Sequence, residues 1–226
     1  MGRAGEGLGL LLLLLVVSLP LFGQLCQGVG YEQPASCGRL ECPAYQVVHT
    51  QKEFEIRRYE PATWVGTPAI SSSSFKDATT TGFNILFSYI QGKNKEGARI
   101  NMTAPVVVDI YSSTGNTTFK LYFYVPKKYE LNPPQSDQVH PARLPVPPLN
   151  YAAVRRFGGF MDDNSIVKEA SALKNSLKGT PWESRVVEKI GGLLDLPSYT
   201  VAGYNSPFEY DGRVNEILLW LKRDNK

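Results

Sequence analysis

The residue whose side chain could most readily take part in catalysis is Glu216, a carboxylate that precedes the apolar run of residues 217–221 (ILLWL). If its side chain faced an apolar groove, desolvation would raise its pKa and suit it to acid–base catalysis. The alternative, which we favour, is a strand-end carboxylate paired with an arginine such as Arg213. Nucleophile-elbow, zinc-binding, Walker and dinucleotide glycine motifs are all absent from the sequence. The sequence therefore predicts a protein that is not an enzyme.

The N-terminal residues have the composition of a targeting signal. Residues 8–19 form an apolar run broken by Pro20, which is too short to cross a bilayer comfortably and is typical of a secretory signal peptide. We predict cleavage after Gly28, giving a signal peptide of residues 1–28, with Gly23 as a second candidate site. An uncleaved signal anchor is the alternative. We therefore expect the protein in the secretory pathway, either extracellular or in an endomembrane lumen.

Removal of the signal would also settle the cysteine count. Cys26 would be lost with the signal, and Cys37 and Cys42 would remain in the chain. An even pair in an oxidising compartment predicts a disulfide that closes a small loop, although two free thiols are the alternative. Because the loop is short, the disulfide should add little stability. We assign it to an N-terminal lead of residues 29–45 and give it no catalytic role.

Composition limits the classes of function that the chain can have. The chain has 226 residues, of which 42% are hydrophobic and 20% charged, and its net charge is only +3. These values are those of an ordinary globular protein with one sizeable core. Lysine and arginine are spread along the chain rather than gathered in a basic stripe, so a nucleic-acid partner is not expected.

The first half of the chain predicts strands on either side of one amphipathic helix. Apolar residues recur at helical spacing over residues 75–90, after a run of serines that offers an N-cap. Gly82 would let this helix lie close to a sheet, and Gly92 falls where a left-handed cap is expected. Alternating or β-branched runs predict strands at residues 53–59, 63–68, 106–110 and 119–125.

The second half repeats the first in a weakened form. A proline-rich crossing of residues 126–148 is predicted to lack regular structure, and a second helix follows, ending before Gly179 and Pro181. A short extra helix is expected at residues 181–190. Three weak sequence echoes recur in one order at an offset of about 100 residues, which indicates an internal duplication. They are residues 56–59 with 154–157, residues 102–106 with 204–208, and residues 119–125 with 216–222.

The duplication predicts an α+β fold. A strand-strand-helix-strand-strand unit, present twice at about residues 50–126 and 149–223, gives eight strands and two main helices. Packing both helices on an antiparallel sheet buries the apolar faces in two layers. A single domain of residues 46–226 is therefore expected, with a groove between helices and strand ends.

Several motifs resemble those of the SOUL haem-binding proteins. They are YIQGKN at 89–94, MTAPV at 102–106, AGYNSP at 202–207, NEI at 215–217 and EIRRY at 55–59 with the following Trp64 and Val65. The resemblance runs from about Cys42 to Leu221, and the signal peptide and cysteine-containing lead resemble secreted, plant-type members. It implies a twisted eight-stranded antiparallel barrel-like sheet with two flanking helices. It also implies tetrapyrrole binding in a shallow apolar groove beside the first helix and the loop near Tyr204.

The resemblance identifies residues that would form this groove. Lys93 after the helix could face the propionates, as could Lys95 and Arg99, although a solvated basic turn is the alternative. The apolar residues could equally be ordinary core. Those we expect to contact haem or a related porphyrin are Phe83, Leu86, Phe87 and Ile90 on the first helix, with Tyr204, Pro207 and Phe208 opposite.

The axial iron ligand is where the sequence departs from its relatives. Arg58 stands where some members of the family carry a histidine, and arginine has no lone pair to offer iron. His49 and His140 are predicted to be loop histidines, and Met102 to be core. We therefore expect no metal ligand and no histidine-ligated haem. Porphyrin binding without metal coordination is expected, and a secreted protein-interaction module without a tetrapyrrole ligand is the alternative.

Two Asn-x-Thr sequons are present, at Asn101 and Asn116. Asn116 lies in a predicted turn, whereas Asn101 enters a strand beside the predicted groove. We therefore predict that Asn116 carries the glycan.

Overall fold

The computed structural model describes residues 30–113, 116–145, 149–187 and 197–222. Within these ranges the chain forms two α-helices and one antiparallel sheet of ten strands, which confirms the α+β fold class. The predicted signal peptide lies outside the described residues. The helices are α1 (Phe75–Ile90) and α2 (Asp163–Leu177), and the strands are β1 (Tyr45–Thr50), β2 (Glu55–Tyr59), β3 (Ala62–Gly66), β4 (Ile70–Ser71), β5 (Val106–Ser113), β6 (Asn116–Tyr124), β7 (His140–Leu144), β8 (Tyr151–Phe157), β9 (Tyr199–Gly203) and β10 (Asn215–Leu221).

The strand order contains the symmetry of a duplicated unit. The sheet runs β1-β2-β8-β10-β9-β5-β6-β3-β7, with β4 added beside β6. Without β1 and β4, exchanging β2, β3, β5 and β6 for β7, β8, β9 and β10 reproduces the same order reversed. The β5–β9 pair lies at the centre of this symmetry. By this order the second unit begins at β7, earlier than the predicted residue 149, and β8 corresponds to β3 rather than to β2.

Alternation along the strands divides the buried residues between the two faces of the curled sheet. On β10, for example, Ile217 and Leu219 belong to one apolar cluster, and Leu218 belongs to another. The first cluster includes the buried residues of α1 and α2, so we call this side the helical face. The second cluster lies on the other side, which neither α-helix covers and against which Cys37, Leu40 and Cys42 of the N-terminal lead pack. We call this side the concave face.

Helix α1 begins and ends at the signals found in the sequence, and α2 ends before Gly179 as predicted. The Ser74 side chain caps α1 by accepting a hydrogen bond from the backbone N–H of Asp77, and Gly92 has φ 105° just past the helix end. Asp162 forms a capping box with Ser165 at the start of α2. At Gly82 a Cβ atom would lie 2.5 Å from Leu121, which confirms that α1 approaches the sheet too closely for a side chain there.

The proline-rich crossing was predicted wrongly to lack regular structure. It contains a 3₁₀ turn at Lys127–Tyr129 and strand β7. Proline is tolerated in β7 because this strand lies at the edge of the sheet, where Pro141 need not donate to a further neighbour. Of the extra helix expected at residues 181–190, the structure describes a 3₁₀ turn at Glu183–Arg185, and residues 188–190 lie outside the described ranges.

The N-terminal lead joins the sheet rather than remaining apart. Cys37 and Cys42 form the predicted disulfide, with Cα atoms 5.6 Å apart, and Glu41 makes a parallel bridge to Thr103. The backbone N–H of Ala104 donates to the carbonyl of Glu41 at 3.0 Å, so the lead is hydrogen-bonded to the start of the β5 segment. Among the described helices, none has the length and apolar character needed to cross a membrane.

Candidate functional site

The residues predicted on α1 divide into buried and accessible pairs. Leu86 and Ile90 are 0% and 3% exposed and pack in the helical-face core, so they hold α1 against the sheet. Phe83 and Phe87 stack on each other with ring centroids 5.5 Å apart and planes 14° apart. Phe87 is 41% exposed. We call this stacked pair the α1 platform.

The α1 platform contacts an aromatic residue of the sheet, and a turn with basic residues follows α1. Phe83 also contacts the ring of Phe123 edge-on at 5.5 Å, which fixes the platform to β6. Lys93 and Arg99 are exposed in the turn that follows α1. Lys95, from the same turn, forms an ion pair with Asp137 at 2.8 Å.

The residues predicted to face α1 from the other side of the groove do not do so. Tyr204 is buried in the cluster of the concave face, on the opposite side of the sheet from the core beneath α1. Pro207 and Phe208 lie exposed in the loop between β9 and β10, and Phe208 is 82% exposed. The seven apolar residues therefore do not line one continuous groove.

The concave face contains a cavity instead. It is partly enclosed, has a volume of about 80 Å³, and is lined by strands from both halves of the chain. Its aromatic lining residues are Tyr45, Tyr59, Trp64, Tyr111, Tyr122, Tyr204 and Trp220. Its charged lining residues are Glu60, Asp109 and Glu216, all of them acidic.

Glu216 lines this cavity and belongs to a largely buried charge cluster. Its two oxygens accept hydrogen bonds from Arg57 at 2.9 and 3.0 Å, from Arg156 at 2.8 and 3.2 Å, and from the Tyr204 hydroxyl at 3.0 Å. Arg57 also pairs with Glu55 at 2.7 Å, and Arg57, Glu55 and Glu216 are each 0% exposed. We call these residues and Arg156 the buried charge cluster.

The predicted partner of Glu216 was wrong in identity. Arg213 instead donates to the backbone carbonyls of Ser206 and Glu209, at 2.8 and 2.6 Å, and its guanidinium lies 4.4 Å over the ring of Phe160. The idea of an ion-paired strand carboxylate nevertheless holds, with Arg57 and Arg156 as the partners. Arg57 was missed because it lies 159 positions away in the sequence.

The pKa values in the cluster are those of a structural ion pair. Burial raises the pKa of Glu216, but the adjacent Arg57 and Arg156 outweigh that effect, and the net pKa lies below its ordinary value. Burial and the neighbouring Glu216 together hold the pKa of Tyr204 well above 10. An ionised carboxylate held by a neutral phenol and two guanidiniums is a poor proton donor near neutral pH. The geometry therefore gives no support to acid–base catalysis by Glu216.

The N-terminal lead closes the outer side of the buried charge cluster. The backbone N–H of Tyr31 donates to Glu55, and Arg156 donates to the carbonyl of Glu32. The Tyr31 ring lies 4.8 Å from the guanidinium of Arg156 and 5.8 Å from that of Arg57. These contacts shield the charges from water.

The histidines and Met102 do not assemble a metal site. His49 lies in β1 against the rings of Phe54 and Trp182, and His140 is exposed in the edge strand β7; both were expected in loops. Met102 packs against the helical-face core. Arg58 is half-exposed and pairs with Glu60 at 3.6 Å. No group of three or more His, Cys, Asp or Glu residues in the described ranges is arranged to hold a metal ion.

Comparison with known proteins identifies the family. The family model described as SOUL heme-binding protein matches residues 40–220. This chain belongs to that family. Heme-binding protein 2 of Homo sapiens is 35% identical to this SOUL protein over 207 residues, covering 87% of this chain and 93% of that protein. Heme-binding protein 1 of Xenopus laevis is 27% identical over 178 residues, covering 76% of this SOUL protein and 84% of the relative.

One solved structure resembles this SOUL protein loosely. The structure of SAV2435 bound to tetraphenylphosphonium has a TM-score of 0.44 and 11% sequence identity, and covers 75% of this chain and 94% of that chain. This similarity is too weak to carry information about ligand binding in the SOUL protein. The family resemblance found in the sequence is confirmed by the family model and the relatives.

The cavity was missed by sequence reasoning, although alternation along the strands contained its signal. Glu216, Leu218 and Trp220 share one side of β10, and Tyr122 and Tyr124 share one side of β6. Aromatic and charged residues that recur at every second position indicate a second lined face. That pattern could have been read from the sequence, but the meeting of these strands could not.

Proposed function

We propose that this SOUL protein binds haem or a related tetrapyrrole on the α1 platform and carries it without catalysis. Membership of a haem-binding family and the names of its relatives support a tetrapyrrole ligand. The observation that supports this position is the stacked Phe83–Phe87 pair, half-open to solvent beside a basic turn. Exposed aromatic rings offer the apolar surface that a flat macrocycle needs.

The platform supplies apolar contact and positive charge, and we propose that it supplies no axial ligand from the part of the chain that the structure describes. Lys93 and Arg99 would attract the propionates of a ring lying on Phe87. Neither histidine is among the ring partners of Phe83, which are Phe87 and Phe123. Binding without histidine coordination should depend on the shape and hydrophobicity of the macrocycle rather than on its iron.

The proposed setting is the secretory pathway. An apolar N-terminal run with small residues near Gly28 and the Cys37–Cys42 disulfide are consistent with passage through an oxidising compartment. Asn116 remains our predicted glycan site. Asn101, the other sequon, is exposed next to the turn that follows α1, so a glycan there would compete with the proposed ligand.

Titration of the purified protein with haemin and with iron-free protoporphyrin tests the proposal. We expect a saturable change in the Soret band at micromolar concentrations, with similar affinity for both ligands. Phe87→Ala should weaken both by roughly fivefold to tenfold, since it removes half of the stacked pair. Val167→Ala is the matched control, because Val167 is an exposed apolar residue on α2, and it should leave binding unchanged.

Three results would count against this site. The absence of saturable binding would reject the tetrapyrrole function itself. Strong binding of haemin without binding of protoporphyrin would indicate iron coordination. Equal weakening by Phe87→Ala and Val167→Ala would place the ligand elsewhere.

A protein-interaction function is a second candidate, supported by a different surface. Phe160 and Tyr210 contact each other at 5.8 Å, and both, like Phe208, are more than half exposed at the β9–β10 end of the molecule. Exposed aromatic clusters are typical of protein interfaces. A complex formed in the secretory fraction that is lost in the double variant Phe208→Ser, Tyr210→Ser would favour this function. Unchanged porphyrin binding by the same variant would separate the two surfaces.

A further inference from the structure

We propose that the edge of the sheet at β7 is a peptide-binding site, where a short extended segment of a partner protein is added as a further strand. The segment places a lysine or arginine side chain in an adjoining cleft. Among the described residues β7 is the last strand of the sheet order, and β3 is its neighbour on the inner side. A peptide can extend an unpaired edge through main-chain hydrogen bonds. This inference is independent of the proposed tetrapyrrole function.

The register of β7 shows which of its backbone groups point away from the sheet. The Thr63 carbonyl accepts a hydrogen bond at 3.1 Å from the backbone N–H that follows β6, so Thr63 faces β6. Backbone groups alternate along a strand, so Trp64 faces β7, where it lies opposite Ala142. Ala142 therefore faces β3, and the flanking Pro141 and Arg143 face outward. The outer edge offers the N–H of Arg143 and the carbonyls of both residues.

A cleft of about 710 Å³ lies next to this edge. It is bounded by β7, by the loop of residues 129–135, and by Glu96 and Ala98 of the turn after α1. Its volume is within the roughly 300–1,000 Å³ of ligand sites. Pro141 and Arg143 both line it. Because directly opposed residues of paired strands project to the same side, alternate side chains of an added strand would lie beside these two residues and enter the cleft.

The far wall of the cleft is fixed to α1 and its turn. The Tyr89 hydroxyl donates to the carbonyl of Pro134 at 2.7 Å. The backbone N–H of Lys95 donates to the carbonyl of Gln135 at 2.8 Å, and the Gln135 N–H donates to the Glu96 carboxylate at 2.8 Å. The cleft is therefore formed before any ligand arrives, which lowers the ordering cost of binding.

The charges of the cleft favour a basic side chain. Its charged lining residues are Glu96, Glu130 and Arg143. The Arg143 guanidinium already donates to the carbonyl of Pro61 at 3.0 Å. Neither glutamate forms an ion pair with a described residue, and the hydrogen bond of Glu96 comes from an uncharged backbone N–H. Two carboxylates are therefore present without a paired cation.

The nearby lysines do not change this balance. Lys95 pairs with Asp137 at 2.8 Å, and the Lys128 ammonium lies 5.0 Å from the centre of the Tyr129 ring. A basic side chain that entered the cleft would reach the carboxylates with its head and lay its methylene stem against Tyr129 and the prolines of the loop.

The residues of β7 favour a short peptide over a second copy of this chain. An antiparallel pair of β7 strands would place Arg143 opposite either Arg143 or Pro141 of the second copy. The first arrangement opposes like charges, and the second leaves a carbonyl unpaired, because proline has no N–H to donate. A short segment of another sequence avoids both costs.

The test uses the synthetic peptide acetyl-Thr-Val-Lys-Val-Thr-amide, titrated into isotope-labelled protein and followed by the NMR shifts of backbone amides. We expect a saturable shift in which the Arg143 amide proton moves downfield, because it gains a hydrogen bond. Replacing the peptide lysine by glutamate should weaken binding by roughly twofold to tenfold, since attraction to the two glutamates becomes repulsion.

Two isomeric methylated peptides test the main-chain pairing. The peptide residues that exchange hydrogen bonds with β7 are those whose side chains enter the cleft. Methylating the amide nitrogens of the threonines and the lysine should therefore weaken binding at least about tenfold, whereas methylating those of the valines should leave it within about twofold. Equal losses would overturn strand addition, and reversed losses would overturn the placement of the lysine in the cleft.

Protein variants then locate the site. Arg143→Pro removes the outward N–H and should weaken the peptide at least about fivefold, whereas Arg143→Ala keeps that N–H and should bind within about twofold. Glu130→Gln should weaken the lysine peptide by roughly twofold to fivefold. Asp211→Asn is its control, because Asp211 is an exposed carboxylate in the loop between β9 and β10, and it should have no effect.

Several results would overturn the proposal. They are the absence of a saturable shift, shifts centred on the α1 platform, and a dimer that forms without peptide and is lost in Arg143→Pro, which would make a second copy the occupant. The methylated peptides act on the unaltered protein, so they decide the matter even if a variant fails to fold. Failure of haemin to bind would leave the peptide titrations unaffected.

Discussion

The two faces of the sheet are covered by different kinds of residues. On the helical face, α1 and α2 cover an almost wholly apolar cluster, and close packing at Gly82 brings the helix onto Leu121. On the concave face, neither α-helix provides cover, and aromatic rings and carboxylates line a small cavity. The same strands supply both faces, because successive side chains point to opposite sides.

This difference indicates how each face contributes to the fold. Apolar burial under the helices is the main source of folding free energy. A buried ion pair is weak evidence for stability, since desolvation offsets much of the attraction between the charges. The buried charge cluster therefore serves better to fix one arrangement of β2, β8 and β10 around the cavity. Its members are positioned by the strands of both halves of the chain.

The largest expected effect comes from removing the central charge of the concave face. Arg57→Leu leaves Glu55 and Glu216 buried with only Arg156 nearby, and should lower the free energy of unfolding by about 3–5 kcal/mol. Arg58→Leu is the control, because the neighbouring Arg58 side chain is 42% exposed and pairs only loosely with Glu60. Urea unfolding measures both. Equal losses would mean that the buried charge cluster contributes no more than a surface pair.

A smaller effect is expected for Glu216→Gln, and it should depend on pH. Arg57 keeps Glu55 as a partner, so the loss at pH 7 should be about 1.5–3 kcal/mol, the range for hydrogen bonds to charged groups. The folded pKa of Glu216 lies below its ordinary 4.5. Its contribution is therefore fully present above that pH and is lost as the pH falls through the folded pKa.

Unfolding measured between pH 7 and pH 3 checks this dependence. The difference between the unaltered protein and Glu216→Gln should stay constant down to about pH 5 and shrink below it. Glu53→Gln is the control, since Glu53 pairs with Arg155 at the surface, and its difference at pH 7 should be smaller. A difference that grows on acidification would contradict an ionised Glu216.

The smallest effect tests the close packing of the helical face. Gly82→Ala gains about 0.5–1 kcal/mol of helix stability but places a Cβ 2.5 Å from Leu121. Overpacking costs about 1–3 kcal/mol, so we expect a net loss of about 1 kcal/mol. Gly82→Ala should cost less stability when it is introduced into the Leu121→Ala variant than when it is introduced into the unaltered protein. A stabilised single variant would show that α1 can move away from the sheet.

Local features were predictable because they depend on neighbouring residues. The bounds of α1 follow from its helical spacing, the serines before it and the left-handed Gly92, and the end of α2 follows from Gly179. The disulfide pairs the two cysteines left after the predicted signal. The proline-rich crossing failed as a prediction because proline is excluded from central strands but not from an edge such as β7.

The candidate site divides along the same line. Phe83 and Phe87 could be paired from their spacing of one helical turn, which places them on one side of α1. The position of Tyr204 could not be predicted, because the sequence shows the alternation along a strand but not which face of the sheet the helices will cover. An arginine partner for Glu216 was predicted, but the prediction named Arg213, which is near in the sequence, because strand pairing with the distant Arg57 could not be seen.

By itself the sequence determined the family, the two helices, most of the strands and the presence of a duplicated unit, but not where its second copy begins. These depend on residue type and on spacing within a few positions. Only the tertiary structure decided that Leu86 and Tyr204 lie on opposite sides of one sheet, and that Glu216, which lines an aromatic cavity, pairs with Arg57. Both relations involve residues more than 100 positions apart in the sequence. They depend on strand pairing and sheet curvature, which local spacing does not encode.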